Sequence, residues 1–245
     1  MQVSIIIPAL NEARHIAQTV AAAWACGPAE VVVVDGGSTD DTMQRAGQAT
    51  KVVQSERGRA KQMNAGAAQA SGDVLWFLHA DNRPAPLCVT QILHALQHPT
   101  VQCGGFQQVV EAQGARFRLL EWGNVYRVAR WGMVYGDQGI FVRRSAFEAA
   151  GRFAKVPLME DVLLMQTLRQ QSRPVLLPGP LYVSPRRWQQ HGVLRQTLRN
   201  WTLLTAFHLG VSPRRLAQFY LPHAEGTQFA VAKPPLNDPT LNQHE

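Results

Sequence analysis

The sequence predicts an α/β fold, a mainly parallel sheet covered by helices on both faces, followed by a helical C-terminal extension. Three observations predict it. The apolar runs Val3–Pro8, Glu30–Val34 and Val74–Leu78 are continuous rather than alternating, as in strands buried on both sides. Each run stops in a polar loop, and the stretches between them place apolar residues at helical spacing. The resulting β-α-β-α-β-α-β order requires crossover connections, which lay helices over both faces of a parallel sheet.

Val3-Ser4-Ile5-Ile6-Ile7-Pro8 is a strand stopped by proline. After Ala9-Leu10-Asn11-Glu12, a helix carries Ile16, Val20, Ala23 and Trp24 on its apolar side and breaks at Gly27-Pro28. The second strand, Glu30–Val34, ends in Asp35-Gly36-Gly37-Ser38-Thr39-Asp40-Asp41-Thr42. There Ser38 or Thr39 is expected to cap a helix with Asp40 and Asp41 in its first turn. Lys51–Gln54 is a short strand, Ser55–Lys61 a basic glycine-containing loop, and Gln62–Ala70 an alanine-rich helix ended by Gly72. Val74–Leu78 then runs into His79-Ala80-Asp81-Asn82.

Beyond Pro86 the pattern predicts a helix to about Gln97, a strand over Val101–Glu111, an amphipathic helix over Arg116–Trp131 and a turn at Gly136–Gly139 entering another strand. Ser145–Ala150 and the stretch opened by Pro157-Leu158-Met159-Glu160-Asp161 read as helices. Val175–Leu177 and Leu181–Val183 read as short strands around Pro178-Gly179-Pro180. From Ser184 a basic loop leads into amphipathic helices interrupted by Gly210 and Pro213. Residues from His223 onward carry no period and are expected to be loosely ordered.

With 245 residues, 46% of them hydrophobic, the chain can bury one large core. Its formal charge is +7, and Arg143–Leu221 alone holds twelve Lys and Arg against three Asp and Glu. An anionic partner is expected there: a nucleoside diphosphate, an anionic membrane surface or nucleic acid. Nucleic acid is set aside, because no zinc-finger spacing, RNP-like motif or GXXG clamp is present. Cys26, Cys88 and Cys103 are odd in number and form no CxxC, which predicts reduced, mostly buried thiols of a cytosolic protein. No basic leader precedes the first strand, and no apolar run approaches the roughly 18 residues a bilayer span needs. The expected location is the cytoplasm, with peripheral contact at the inner face of the membrane as a second reading.

Four strand-end loops carry acids or small polar residues: Ala9–Glu12, Asp35–Asp41, His79–Asn82 and Gly136–Gln138. Each alone is an ordinary turn rich in Asp, Asn and Gly. Strand ends of a parallel sheet open on one rim, however, so the four can converge.

Taken in order, Pro8-Ala9-Leu10-Asn11-Glu12, Val34–Asp40, Gly58 to Asn64-Ala65-Gly66, Gly72-Asp73 with Leu78-His79-Ala80-Asp81, and Glu160-Asp161 resemble the successive signatures of family 2 glycosyltransferases. The resemblance covers residues 3–190. Leu78-His79-Ala80-Asp81 and Arg186-Arg187-Trp188 further resemble a bacterial subgroup labelled arsenosugar-biosynthesis glycosyltransferases. The family implies the GT-A fold, a nucleoside-diphosphate sugar as donor and inverting transfer to an acceptor hydroxyl, on a small-molecule or lipid-linked acceptor. The organisation expected on that basis is a catalytic domain over 1–183, divided into a nucleotide-binding half 1–82 and an acceptor half 83–183. A basic extension 184–222 and a tail 223–245 complete it.

The resemblance also assigns residues. Asp35 matches the acid that reads the base, and a carboxylate suits a ring N–H of uracil or guanine. Pro8, Ala9 and Glu12 match the nucleoside-pocket loop, and Arg57 and Lys61 lie beside base and ribose, unless that loop is merely a solvated charged one. Asp81 matches the last acid of the DxD motif, the ligand of a divalent cation, Mn²⁺ or Mg²⁺, under the diphosphate. His79 departs from the pattern by replacing the first acid. Hard cations prefer oxygen, so the exchange tilts the site toward Mn²⁺, or leaves His79 to hydrogen-bond the ribose or a phosphate.

Asp161 matches the general base, which needs a carboxylate within reach of the acceptor hydroxyl. The alternative is that Glu160 and Asp161 simply start a helix, favoured by its dipole. Asp137, Gln138 and Glu160 are then assigned to the acceptor. Arg186 and Arg187 suit a diphosphate clamp, since guanidinium groups bind phosphate in bidentate fashion. They equally suit a membrane-surface patch with Arg195, Arg199, Arg214 and Arg215 beside Trp201, Leu204 and Phe207. Trp122, Trp131 and Trp188 are expected in the core, with stacking on sugar rings as the alternative. A nucleotidyltransferase would want a glycine-rich basic loop after the first strand, which Ala9-Leu10-Asn11-Glu12 is not. A non-catalytic sugar-nucleotide or membrane-surface binder is the remaining alternative, argued from the missing DxD acid.

Overall fold

The computed structural model describes residues 1–220, apart from the side chains of Arg187 and His191. The expected tail, 223–245, lies outside the described residues. β1 (Val3–Ala9), β2 (Glu30–Asp35), β3 (Lys51–Gln54) and β4 (Val74–Phe77) pair in parallel, in the order β3-β2-β1-β4. The crossovers are α1 (Ile16–Ala25), α2 (Thr42–Arg45) and α3 (Arg59–Gln69). Successive strand side chains face opposite ways, so Ile5 and Ile7 join one core and Ile6 the other. Helix α3 lies close enough to the sheet that a Cβ on Gly66 would collide with Ile6 and Val34. A glycine inside that helix is the cost of the close approach.

The second half of the sheet is mixed, a departure from the parallel pattern. β5 (Asn82–Pro84), β6 (Cys103–Val110), β7 (Phe141–Arg143) and β8 (Val175–Val183) extend it to eight strands, ordered β3-β2-β1-β4-β7-β6-β8-β5. β7 runs antiparallel to both β4 and β6, β6 runs parallel to β8, and β5 runs antiparallel to β8. β5 was not expected, since three residues ending in proline give no strand signal. The two strands expected around Pro178-Gly179-Pro180 are one continuous strand, with a register shift opposite Phe106–Gln108 that absorbs the prolines.

The remaining helices are α4 (Cys88–Ala95), α5 (Ala115–Trp131), α6 (Arg144–Ala149), α7 (Glu160–Gln171), α8 (Arg186–His191), α9 (Val193–His208) and α10 (Pro213–Phe219). The expected basic loop after Ser184 is therefore helix α8. Ser38 does not cap α2: its hydroxyl bonds the Asp35 carboxylate, and the helix starts later, with Asp41 at the N-cap. The placement of Trp122 and Trp131 in the core is also corrected. They are 64% and 56% exposed, because α5 packs on the sheet through Phe117 and Val128 on its other side.

A buried charge ties the first two strands together. Glu30 accepts hydrogen bonds from Ser4 Oγ at 2.7 Å and Ser71 Oγ at 2.9 Å, with Lys51 Nζ 3.6 Å away. Burial opposes its ionisation, but the Ser4 and Ser71 bonds and the Lys51 charge outweigh burial and hold the carboxyl at about 2. Cys26, Cys88 and Cys103 are free and buried, and burial pushes their thiols up to about 11, 12 and 12. Such thiols are inert structural groups.

Candidate active site

Strand direction gathers the site. The carboxyl ends of β1, β2 and β4 open on one rim, bearing Ala9, Asp35 and, just past β4, His79 and Asp81. Because β7 is antiparallel to β4, the turn that precedes it, Gly136–Gln138, rises to that same rim. β8 again runs with β4, so its carboxyl end delivers Ser184 and Arg186 there.

On the β1–β2 side, Asp35 is 1% exposed. Its Oδ2 accepts from the backbone N–H groups of Gly37 and Ser38, both at 2.9 Å, and its Oδ1 accepts from the Ser38 hydroxyl. A carboxylate offers about four lone-pair sites, so its own loop takes most of them and one remains. Asn11 Oδ1 accepts from Thr39 N at 2.8 Å while Ser38 Oγ accepts from Asn11 N at 2.9 Å, locking the two loops together. Gln62 of α3 donates through Nε2 to the carbonyls of Ala9 (2.8 Å) and Val34 (2.9 Å) beneath them. Arg57 and Lys61 line neither of the two cavities described below, and the exposed Lys61 pairs with Glu56.

Glu12, Arg186 and Asp81 form a charged bridge across the rim. Arg186 Nη2 lies 2.6 Å from Glu12 Oε1 and 3.2 Å from Asp81 Oδ2. Burial raises the Glu12 carboxyl above its ordinary range; the Arg186 bond and charge oppose this, and the Asp81 charge adds to it. The other half of the expected clamp, the Arg187 side chain, lies outside the described residues. Among the described residues no three His, Cys, Asp or Glu side chains form a metal cage. Mg²⁺ in phosphate chemistry is held by one or two carboxylates together with substrate phosphates, and Asp81 on the open rim fits the role of that carboxylate.

A small cavity beneath the rim is bordered by Pro8, Arg59, His79, Gly136, Glu160 and Asp161. Asp161 Oδ2 accepts from Gly136 N at 2.7 Å and its Oδ1 from Val162 N at 2.8 Å. A Cβ built on Gly136 would lie 3.2 Å from Asp161 Oδ2 and 3.3 Å from His79 Nε2, so that backbone runs between the two side chains. Met159, directly before the acid pair, has φ of 69°, a left-handed conformation that L-residues rarely adopt. Glu160 is 3% exposed and pairs with Arg59 Nη1 at 3.4 Å. Burial raises its carboxyl, Arg59 opposes and the neighbouring Asp161 adds.

A larger cavity opens on the far side of His79 and Asp81, bounded by Asn82, Gln108, Asp137, Trp188, Gln196 and Asn200. Asp137 thus stands at a cavity, but Gln138 does not. Its side chain is fully buried, and its Oε1 accepts from Arg127 Nη2 at 2.6 Å and from Tyr135 N at 3.1 Å. Folding the turn tightly before β7 sends Gln138 inward, so its expected contact with the acceptor is corrected to a structural one. Sequence reading missed Arg59 as the partner of Glu160, and Gln108, Gln196 and Asn200 as cavity walls. The only signal for Gln108 was the polar pair Gln107-Gln108 interrupting an otherwise apolar strand.

A family model described as Glycosyl transferase family 2 matches residues 4–148. An uncharacterised glycosyltransferase of Mycobacterium tuberculosis is 37% identical over 115 residues, 42% of this chain and 44% of that protein. Another from Nostoc is 31% identical over 107 residues, 40% and 33% of the respective lengths. The chain therefore spans less than half the length of these relatives. Among solved structures, residues 1–349 of Staphylococcus aureus TarS in complex with UDP-GlcNAc align with a TM-score of 0.60 at 18% identity, covering 75% of this chain and 58% of that one. Glucosyl-3-phosphoglycerate synthase of M. tuberculosis with Mn²⁺, UDP-glucose and phosphoglyceric acid aligns with a TM-score of 0.54 at 22% identity, covering 75% and 69%. At such identities the likeness is one of fold, and the fold is GT-A.

Proposed function

The chain belongs to glycosyl transferase family 2, and from that premise we propose that it is an inverting glycosyltransferase moving a sugar from a nucleoside-diphosphate donor to an acceptor hydroxyl. The observation that carries the reading is the meeting of five distant segments, where Arg186 grips Glu12 and Asp81 while Gly136 is held between His79 and Asp161. The nucleoside lies along the loops after β1 and β2, over Pro8, Ala9 and Asp35, with Arg57 and Lys61 at its outer edge. Arg186 and Arg187 hold the diphosphate through bidentate bonds. Asp81 would hold Mn²⁺ or Mg²⁺, whose charge would stabilise the leaving diphosphate, and His79 would bind either the ion or a phosphate.

In the transfer, the acceptor oxygen attacks the anomeric carbon from the side opposite the diphosphate. The new C–O bond forms as the old one breaks, the nucleoside diphosphate leaves with the electron pair, and the acceptor proton passes to Asp161. Each Asp161 oxygen accepts one backbone N–H and keeps a lone pair for that proton. Arg59 and Glu160 brace the turn behind it. The narrower likeness to the arsenosugar-associated subgroup is supported by the Leu78–Asp81 and Arg186–Trp188 motifs alone.

We propose in addition a peripheral membrane contact. Helix α9 exposes Leu194, Leu198 and Trp201 beside Arg195, an amphipathic basic face suited to anionic lipid. Among the described residues no helix is long and apolar enough to cross a membrane. The transferase reading is tested by thermal shift with UDP and GDP, with and without Mn²⁺, and by slow release of nucleoside diphosphate from UDP- and GDP-sugars. Specific binding raises the melting temperature by mass action; a protein that neither shifts nor hydrolyses removes the reading.

A further inference from the structure

The larger cavity has walls of a consistent chemistry that donor binding leaves unused. β5 contributes Asn82, β6 Gln108, the turn before β7 Asp137, and α9 Gln196 and Asn200, with the Trp188 indole as the aromatic wall. The cavity holds about 60 Å³ and is open to solvent, so it takes the hydroxylated edge of a ligand whose remainder lies outside it. No described lysine or arginine lines it. Among the described residues, two guanidinium groups touch its walls and both are already paired, Arg186 with Glu12 and Asp81, and Arg199 with Gln196 Oε1 and over the Tyr220 ring.

The carboxamides are held in fixed orientations by one another. Asn82 Nδ2 and Gln108 Nε2 both donate to the Asp137 carbonyl, at 3.2 and 3.0 Å. Gln108 Oε1 accepts from Asn124 Nδ2 at 2.7 Å, and Gln196 Nε2 donates to Asn200 Oδ1 at 2.9 Å. These bonds leave Asn82 Oδ1 to accept and Asn200 Nδ2 to donate toward a ligand. Asp137 Oδ1, in the wall, is shut off from solvent, and no described group donates to it. With Oδ1 closed off, it is the other oxygen of the Asp137 carboxylate, Oδ2, that a ligand O–H would meet.

We infer that this cavity receives the acceptor and that the acceptor is a neutral polyhydroxylated compound, with one hydroxyl donating to Asp137 and others meeting Asn82 and Asn200. A phosphate or carboxylate on the acceptor would face Asp137, and the described cation at the Asp81 end of the wall, Arg186, is already shared between Glu12, Asp81 and the donor diphosphate. Trp188 gives the C–H face of a sugar or polyol an apolar platform. The inference rests on the transferase reading for its connection to chemistry. His79 borders both cavities, and Gly136, whose N–H holds Asp161, directly precedes Asp137, so this cavity adjoins the smaller one that Asp161 lines.

A free sugar or polyol and the sugar headgroup of a neutral glycolipid share this chemistry, and separate arms of one experiment distinguish them. Saturation-transfer NMR on the full chain, with UDP or GDP and Mn²⁺ present, would compare methyl glucoside, methyl mannoside and glycerol with octyl glucoside, and all four with glucose 6-phosphate and 3-phosphoglycerate. Transfer to at least one neutral ligand is expected, weakened at least tenfold by Asp137→Asn and by Asn200→Leu, each confirmed as folded by its melting curve. A preference of the wild-type chain for the phosphorylated ligands overturns the inference, as does nucleotide binding without any neutral ligand, or neutral-ligand binding unchanged in both variants. If no nucleoside diphosphate binds while a neutral ligand still depends on Asp137, the transferase reading falls and the assignment of the cavity stands.

Discussion

Asp161 accepts the backbone N–H of Gly136 at 2.7 Å, joining the start of α7 to the turn before β7. The acid is thereby fixed relative to His79 as well as to its own helix. Asp161→Asn should keep nucleotide affinity and lose transfer by at least about a hundredfold, the scale of general-base loss. Single-turnover assays beside nucleotide titration check this, and near-normal turnover would take Asp161 out of that role.

The spacing of that backbone makes a second prediction. A methyl group at position 136 would stand 3.2 Å from Asp161 and 3.3 Å from His79, tighter than ordinary contact. Gly136→Ala should therefore lower turnover about tenfold or more through displacement of the acid, since small misplacements at a reacting centre are expensive. The melting temperature should move little, because the neighbours are side-chain ends; a large drop in melting temperature with normal turnover would contradict the placement.

Removing Arg186 should produce a pH-dependent loss of stability. Burial raises the Glu12 carboxyl, and Arg186 is the charge that opposes it. A group whose folded pKa is raised contributes its stability below the unfolded value and loses it as pH climbs through the folded value. In Arg186→Met the opposing charge is gone, so the deficit against wild type should be small near pH 4 and grow to about 1–3 kcal/mol by pH 7.5. Urea melts at the two pH values decide it, an equal deficit at both being the contrary result.

Glu30 has the opposite sign. Its carboxyl is depressed to about 2 in the folded chain, so its contribution is present above the unfolded value and fades as pH falls toward 2. Glu30→Gln should cost on the order of 2–3 kcal/mol at pH 7 and progressively less between pH 5 and pH 2. Denaturant melts of both proteins across that range measure the convergence.

The face of α9 predicts binding of the chain to vesicles containing phosphatidylserine and its loss as salt is raised. Replacing Trp201, 69% exposed, by Ser together with Arg195 by Glu should abolish cosedimentation. Equal binding to neutral vesicles would remove the membrane reading.

The parallel half of the sheet was legible because its strands are short, apolar and punctuated. Asp35 and Asp81 stand at strand ends, as such a sheet requires. The reversed β7 was not legible, since three residues carry no direction, although that reversal is what brings Asp137 to the rim. Gln138 was misread because a turn residue beside an acid looks exposed until Arg127 is seen to hold it. Trp122 looked like core because α5 has apolar residues on more than one side. Arg59, Gln196 and Asn200 owe their positions to partners far away in the chain, and spacing along one sequence does not encode such pairings.

The C-terminal helices were expected to be an appendage, yet α8 supplies the cation that separates Glu12 from Asp81, and α9 supplies a wall of the larger cavity. Exchanging this segment for that of a relative would therefore transplant half of a binding surface. Such a chimera should inherit its choice of sugar-receiving molecule from the graft and its choice of nucleotide from the host.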